Sequence, residues 1–260
     1  MKPVLDHIKS RTEEFSRLPV FAYMADQSIA PEQRLSLAPC MAHYVMTFAD
    51  MNAYVFREEP AQNKYQHLVN IHTREDASHW PWFVADLKRL GLDRRFAFSE
   101  VLEFLWGEET VKSRLLSYEM CRLTLQATPL QKLVIVECVE ATGNIFLGLA
   151  SRIGRELEQA TGTQYIYYGP HHFGCESGHT MGTQDVEQQL ESIQLAEEER
   201  GTALALVDKV FALYTDFVGE LLAYAKAHPI DLLRSGPLGA GRHDRHASGQ
   251  TTGHPPPRPM

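Results

Sequence analysis

Pro129 opens a run, LQKLVIVECVEATGNIFLGLASRIGRELEQA, that continues to about residue 160 without a second proline and is mostly apolar. Proline suits the first turn of a helix, and apolar residues on nearly every face require the neighbouring elements to cover it. This helix, predicted over 130–160, sets the architecture. The rest of the chain carries the same periodicity. PEQRLSLAPCMAHYVMTFADMNAY, residues 31–54, places apolar residues at helical spacing, and EEPAQ at 58–62 ends it. A second helix is expected from about Asn63 to Leu90, with Gly91 as its C-cap. Pro81 must kink that helix just past His79 or restart it there. Further helices are expected at 98–106, 109–126 and 185–228. TGTQYIYYGP, residues 161–170, has strand-like content, but it lies between glycines with no partner strand and reads as a loop.

These elements predict an all-α fold, a single-domain bundle of about seven or eight helices over residues 1–230. Residues 231–260 are rich in Gly, Pro, Ser and His with little to bury, and are expected to be a disordered tail. Its His243, His246 and His254 read as incidental, with a loose metal-binding tail as the alternative. The formal net charge of −8 argues against a nucleic-acid partner. Four cysteines, Cys40, Cys121, Cys138 and Cys175, show no paired spacing, so neither a zinc ribbon nor a disulfide framework is indicated. A reducing, cytoplasmic location fits, since the N-terminus lacks an apolar leader and no uncharged apolar run reaches membrane-span length.

One polar pattern is written twice. HTREDASH, residues 72–79, and HFGCESGH, residues 172–179, both read His-x-x-x-acid-x-x-His. On a helix, positions i, i+4 and i+7 share a face, so His72, Asp76 and His79 form one stripe and His172, Glu176 and His179 another. Imidazole and carboxylate suit iron, manganese or zinc, and two facing helices can close a site between them. The alternative for each stripe is a hydrogen-bonded polar face.

Further ligands would come from neighbouring helices. Glu137 and Glu140 are the acids in the apolar half of the long helix, and an unpaired buried carboxylate is costly. Glu140 is favoured because Ala141, Thr142 and Gly143 leave space beside it. Antiparallel pairing of the 31–56 and 63–90 helices would bring His43 and Tyr44 opposite Asp76. His43 is therefore an additional candidate ligand, with a hydrogen-bonded core histidine as the alternative, and Asp50 lies further off. Tyr44, Trp80, Trp82, Phe83, Tyr167 and Tyr168 flank the stripes. Tyr44 and Trp80 are candidates for substrate contact, although aromatics at this spacing also serve as core.

On these residues the chain resembles the heme-oxygenase-like superfamily, which includes the TenA- and PqqC-like proteins. Within it the chain is most similar to the non-heme di-iron oxidases and oxygenases. Their last ligand helix carries His-x-x-x-Asp/Glu-x-x-His, matched by His172, Glu176 and His179. They also take a Glu from the preceding core helix, where Glu140 stands, and an acid and a His from an earlier one, where Asp76 and His79 stand. His72 is then expected outside the first coordination sphere or on one ion only. The resemblance implies one or two non-heme iron ions, O2 as co-substrate, and a small organic substrate such as an amino acid, amine or fatty acid. It leaves room for a homodimer. The family also supplies a Glu from its first core helix, where this chain offers His43 or Asp50. Three rival readings are a TenA-like hydrolase with Cys138 as nucleophile, a heme protein using His7 or His43, and a non-catalytic binding protein of the same fold.

Overall fold

A computed structural model describes residues 1–177 and 190–236, the side chains of Glu176 and Ser177 excepted. The fold is all-α, with no strand among the described residues. In chain order the helices are α1 (Lys2–Phe15), α2 (Pro19–Ala25), α3 (Pro31–Arg34), α4 (Ala38–Met51), α5 (Lys64–Asp76), α6 (Trp80–Arg89), α7 (Phe98–Trp106), α8 (Val111–Leu125), α9 (Pro129–Thr161), α10 (Pro170–Ser177), α11 (Glu197–Ala227) and α12 (Ile230–Ser235). A π-helical turn, Asn52–Phe56, prolongs α4.

The axis of the bundle is α9. Thr128 caps it by accepting from the Gln131 amide, Pro129 starts it, and Gly162 ends it in the left-handed region at φ 71°. Leu133, Val134, Ile135 and Val136 are consecutive and all buried, so this part of the helix is covered all round. The covering comes from α1, α2, α3, α5, α8, α10 and α11. By length and composition alone α9 is long and apolar enough to cross a membrane when a few charges are tolerated. In this fold it is the central core helix.

There are more helices than the seven or eight expected because two long predicted elements are divided and the short helices α2 and α12 add to them. The 31–54 element splits into α3 and α4 around a turn, and Pro39 lies in the first turn of α4. The 63–90 element takes the restart rather than the kink. Asn63 caps α5 through its side chain, which accepts from the Tyr65 and Gln66 amides, and α5 stops at Asp76. Pro81 then occupies the first turn of α6, where its missing N–H costs nothing. His79 sits at the corner between the two helices.

The expected loop after α9 is held by a buried acid. The Asp86 carboxylate accepts from the backbone N–H of Ile166 (3.0 and 3.1 Å) and of Tyr168 (3.0 Å), and pairs with Arg89 at 2.7 Å. Gly154 allows the loop to approach α9, since a Cβ there would collide with the Tyr168 carbonyl. At the other end of the domain, structure extends beyond the expected boundary at 230. In α12, Ile230 and Leu233 are buried and the Arg234 side chain donates to the Leu90 carbonyl at 2.9 Å. His243, His246 and His254 lie outside the described residues.

Candidate metal centre

Two of the predicted ligands come from successive turns of α5 and a third from α9. His72 and Asp76 are 1% and 3% exposed, and Glu140 is nearly buried against them. The His72 Nε2 lies 2.9 Å from Asp76 Oδ2, and its Nδ1 lies 3.2 Å from Glu140 Oε1. One ligand atom from each residue falls within 4.8 Å of the other two. The two short distances end on opposite nitrogens of one ring, which cannot both bind one ion, so a cation here would take a single nitrogen of His72 together with the two carboxylates, whose atoms lie within 4.8 Å of it. An imidazolium bridging two carboxylates would have the same separations.

A second pair of imidazoles stands alongside. His79, displaced to the α5–α6 corner, stacks on Trp82 with ring centroids 4.5 Å apart and points Nδ1 at the His172 Nε2, 3.1 Å away. His172 lies in the first turn of α10, and its Nδ1 is 3.0 Å from the Tyr167 carbonyl oxygen. A carbonyl only accepts, so Nδ1 carries a proton, and of the two neutral tautomers this contact selects the one with its lone pair at Nε2. A backbone carbonyl orienting a histidine in this way is the usual support for a metal ligand. Because Asp86 fixes the neighbouring amides of Ile166 and Tyr168, the carbonyl that orients His172 is itself held by α6.

Asp76, His79 and His172 line a cavity of about 100 Å³, together with Tyr44, Trp80, Thr142, Gly143, Tyr167, Tyr214 and an apolar wall that includes Phe15, Phe48, Phe146 and Phe217. A single water needs only about 10–15 Å³ of such space, so a small organic molecule fits. Trp80 lines the cavity while 39% exposed, which places it at the mouth. Deeper in, the Tyr44 and Tyr214 hydroxyls share a short hydrogen bond. Burial, and then the proximity of Tyr214, pushes the Tyr44 phenol well above its usual value; burial likewise raises Tyr214. Both remain neutral at any ordinary pH.

The predicted residues divide accordingly. His72, Asp76 and Glu140 meet, His79 and His172 meet, and Tyr44 and Trp80 line the adjoining cavity. His72 is central to the triad, in contrast to the peripheral role expected of it. Glu176 falls within α10, but its side chain, and His179 altogether, lie outside the described residues. His43 is turned away from Asp76 toward α7 and α8: it contacts Ser117 at 3.3 Å and packs its ring against Trp106 and Tyr118. Asp50 is exposed. His7 pairs with Asp208 at 2.9 Å, and neither His7 nor His43 lines the cavity. Cys138 is fully buried, burial raises its thiol well above the usual value, and it does not border the cavity. A thiol so placed is a poor nucleophile.

Sequence reasoning missed Tyr214 and Asp86. Tyr214 is one tyrosine among the apolar positions of α11, with no local feature to separate it from Tyr224. Asp86 did carry a signal, as an acid among Phe83, Val84 and Leu87 on a short helix. No protein-family model matches the chain, and no curated protein matches it in sequence.

Proposed function

We propose that this protein is a metal-dependent oxidoreductase, a non-heme iron oxidase or oxygenase that uses O2 on a small organic substrate held in the cavity. The observation that carries this reading is that Asp76, His79 and His172, three of the residues the doubled pattern singles out, border one apolar cavity, with His72 and Glu140 directly behind Asp76. The resemblance to heme-oxygenase-like di-iron proteins agrees with it. Iron in that donor set would supply the one-electron chemistry that O2 activation needs.

The chain's own residues have definable parts. Asp76 and Glu140 would offer oxygen ligands in a poorly hydrated setting, and His72, His79 and His172 nitrogen ligands. The Tyr167 carbonyl fixes the His172 tautomer. The aromatic wall excludes water and keeps a bound molecule beside the ligands. Tyr44 and Tyr214 hold their protons as neutral hydroxyls in the same wall. The buried, unactivated Cys138 argues against the hydrolase alternative.

Anaerobic loading with ferrous iron, followed by metal analysis and exposure to oxygen, tests the proposal. About two irons per chain, O2 uptake and a spectrum without heme bands are expected. Failure to bind either iron or manganese would leave the triad as a hydrogen-bonded ion pair and overturn the assignment.

A further inference from the structure

Helix α7, FSEVLEFLW, is apolar at six of its nine positions, more than one buried face can hold. Phe104 packs inward, while Phe98, Leu102 and Trp106, spaced i, i+4 and i+8, share a face turned to solvent, with Phe98 77% and Trp106 59% exposed. That face does not stand alone. The ring of His43 on α4 meets Trp106 edge-on at 6.0 Å and Tyr118 of α8 at 5.7 Å, which joins three helices into one surface. Leu115 lies a turn before Tyr118 on α8 and Met46 a turn after His43 on α4, and Leu115, Tyr118 and Met46 are all exposed. Together the six exposed side chains present about 700 Å², above the roughly 300–600 Å² of the largest apolar patch on an ordinary monomer. A dimer contact of standard size covers about 800 Å² on each partner, so this patch supplies most of one half. Its Trp, Tyr, Phe and Met side chains are those enriched at interface centres, and a turn beyond Tyr118 the Arg122–Glu119 pair, at 2.7 Å, begins a polar edge.

The two segments outside the described residues supply no matching apolar run: residues 178–189 offer Met181 and Val186 as their larger apolar side chains, and 237–260 offer Leu238 and Met260. The charges on α7 itself are Glu100 and Glu103, so the face lacks the basic flank that holds an interfacial helix to an anionic bilayer. A second copy needs neither. In a two-fold contact each chain brings the same patch, and the area present is close to what such a contact takes. We infer that this protein is a homodimer in which the α4–α7–α8 face of one chain packs on the same face of the other. None of the six side chains lines the cavity, so the dimer does not depend on the metal reading. The two surfaces share α4, whose Tyr44, Val45 and Phe48 line the cavity, and the second copy therefore backs the cavity wall.

Sedimentation velocity on the full chain at about 10 μM should give twice the mass of one chain. Phe98→Glu/Tyr118→Glu should raise the dimer dissociation constant about thirtyfold or more, because it places two carboxylates at the centre of the contact. Lys9→Glu, at an exposed position on α1, changes the net charge by the same amount and should leave the dimer intact, which separates loss of contact from charge repulsion. Hydroxyl-radical labelling of the unaltered protein needs no variant to fold. In the dimer Phe98 should be oxidised at a rate within about threefold of the buried Phe83, although in a single chain it is open to solvent. A monomeric protein would overturn the inference. If that monomer protects Phe98, the cover belongs to residues 178–189 or 237–260; if it floats with phosphatidylcholine vesicles, the face belongs to a membrane. A dimer that labels Phe98 far faster than Phe83, or that Phe98→Glu/Tyr118→Glu leaves unchanged, would overturn it as well, because the contact would then lie on another face.

Discussion

The Nε2 of His172 stands 3.1 Å from the Nδ1 of His79, although 93 residues of chain separate them. The two members of the doubled pattern thus meet across the bundle, and they do so from a helix corner and a first turn rather than from the middles of two facing helices. If they act as one unit, their substitutions are coupled. In metal-free protein a double-mutant cycle between His79→Ala and His172→Ala should give a coupling of about 1 kcal/mol by urea unfolding. Each single variant should also lose most bound iron, with the double losing little more. Additive effects and unchanged metal content would show two unrelated polar contacts.

His72→Ala should be as damaging to metal content as Asp76→Asn, because His72 stands between Asp76 and Glu140 at 2.9 and 3.2 Å. Retention of most of the metal in His72→Ala, measured beside Asp76→Asn, would return this residue to a supporting role.

Asp86→Ala should destabilise the fold by about 3–5 kcal/mol, since it removes the partner of two buried amides and of Arg89. The effect should be concentrated near α10. Amide exchange at Ile166, Tyr168 and His172 should accelerate in Asp86→Asn even where global stability recovers. Unchanged exchange there would show that Asp86 does not position His172.

Alkali should unfold this protein through its thiols before its phenols. Burial raises Cys40 and Cys138 well above their usual values. Their stabilising effect is therefore complete below the unfolded thiol pKa and is lost as the pH climbs toward the folded value. Above about pH 8.5 each should steepen the decline by up to about 1.4 kcal/mol per pH unit. Unfolding measured from pH 8 to 10 should show this slope reduced in Cys40→Ala/Cys138→Ala. An identical slope would assign the alkaline loss elsewhere.

Truncation separates the tail from the domain. Removing residues 237–260 should shift the melting temperature by no more than about a degree, because their composition offers little apolar area. Removing 230–260 should cost about 3–5 kcal/mol, since Ile230 and Leu233 are then lost from the core. Equal behaviour of the two truncations would contradict the packing of α12.

The helices were legible where a local rule sufficed. Pro129 and the apolar run placed α9, and Asn63 placed the start of α5. Pro81 showed that the 63–90 element must kink or restart, without showing which, because both satisfy the missing N–H. His43 was misplaced for a related reason. On α4 it is adjacent to Tyr44, and helical spacing puts neighbours about 100° apart, so only one of them could face the cavity. Nothing in the local sequence decides which.

What the sequence determined by itself was the all-α class, the central helix and a short set of residues able to hold a cation, because periodicity, capping and side-chain chemistry are properties of contiguous chain. Only the tertiary structure decided which of those residues converge. It joined His72 to Glu140 and His79 to His172, turned His43 away, buried Cys138, and set Tyr44 against Tyr214. Such pairings depend on rotations of whole helices about their axes, which the packing of the entire core fixes at once and which no single segment encodes.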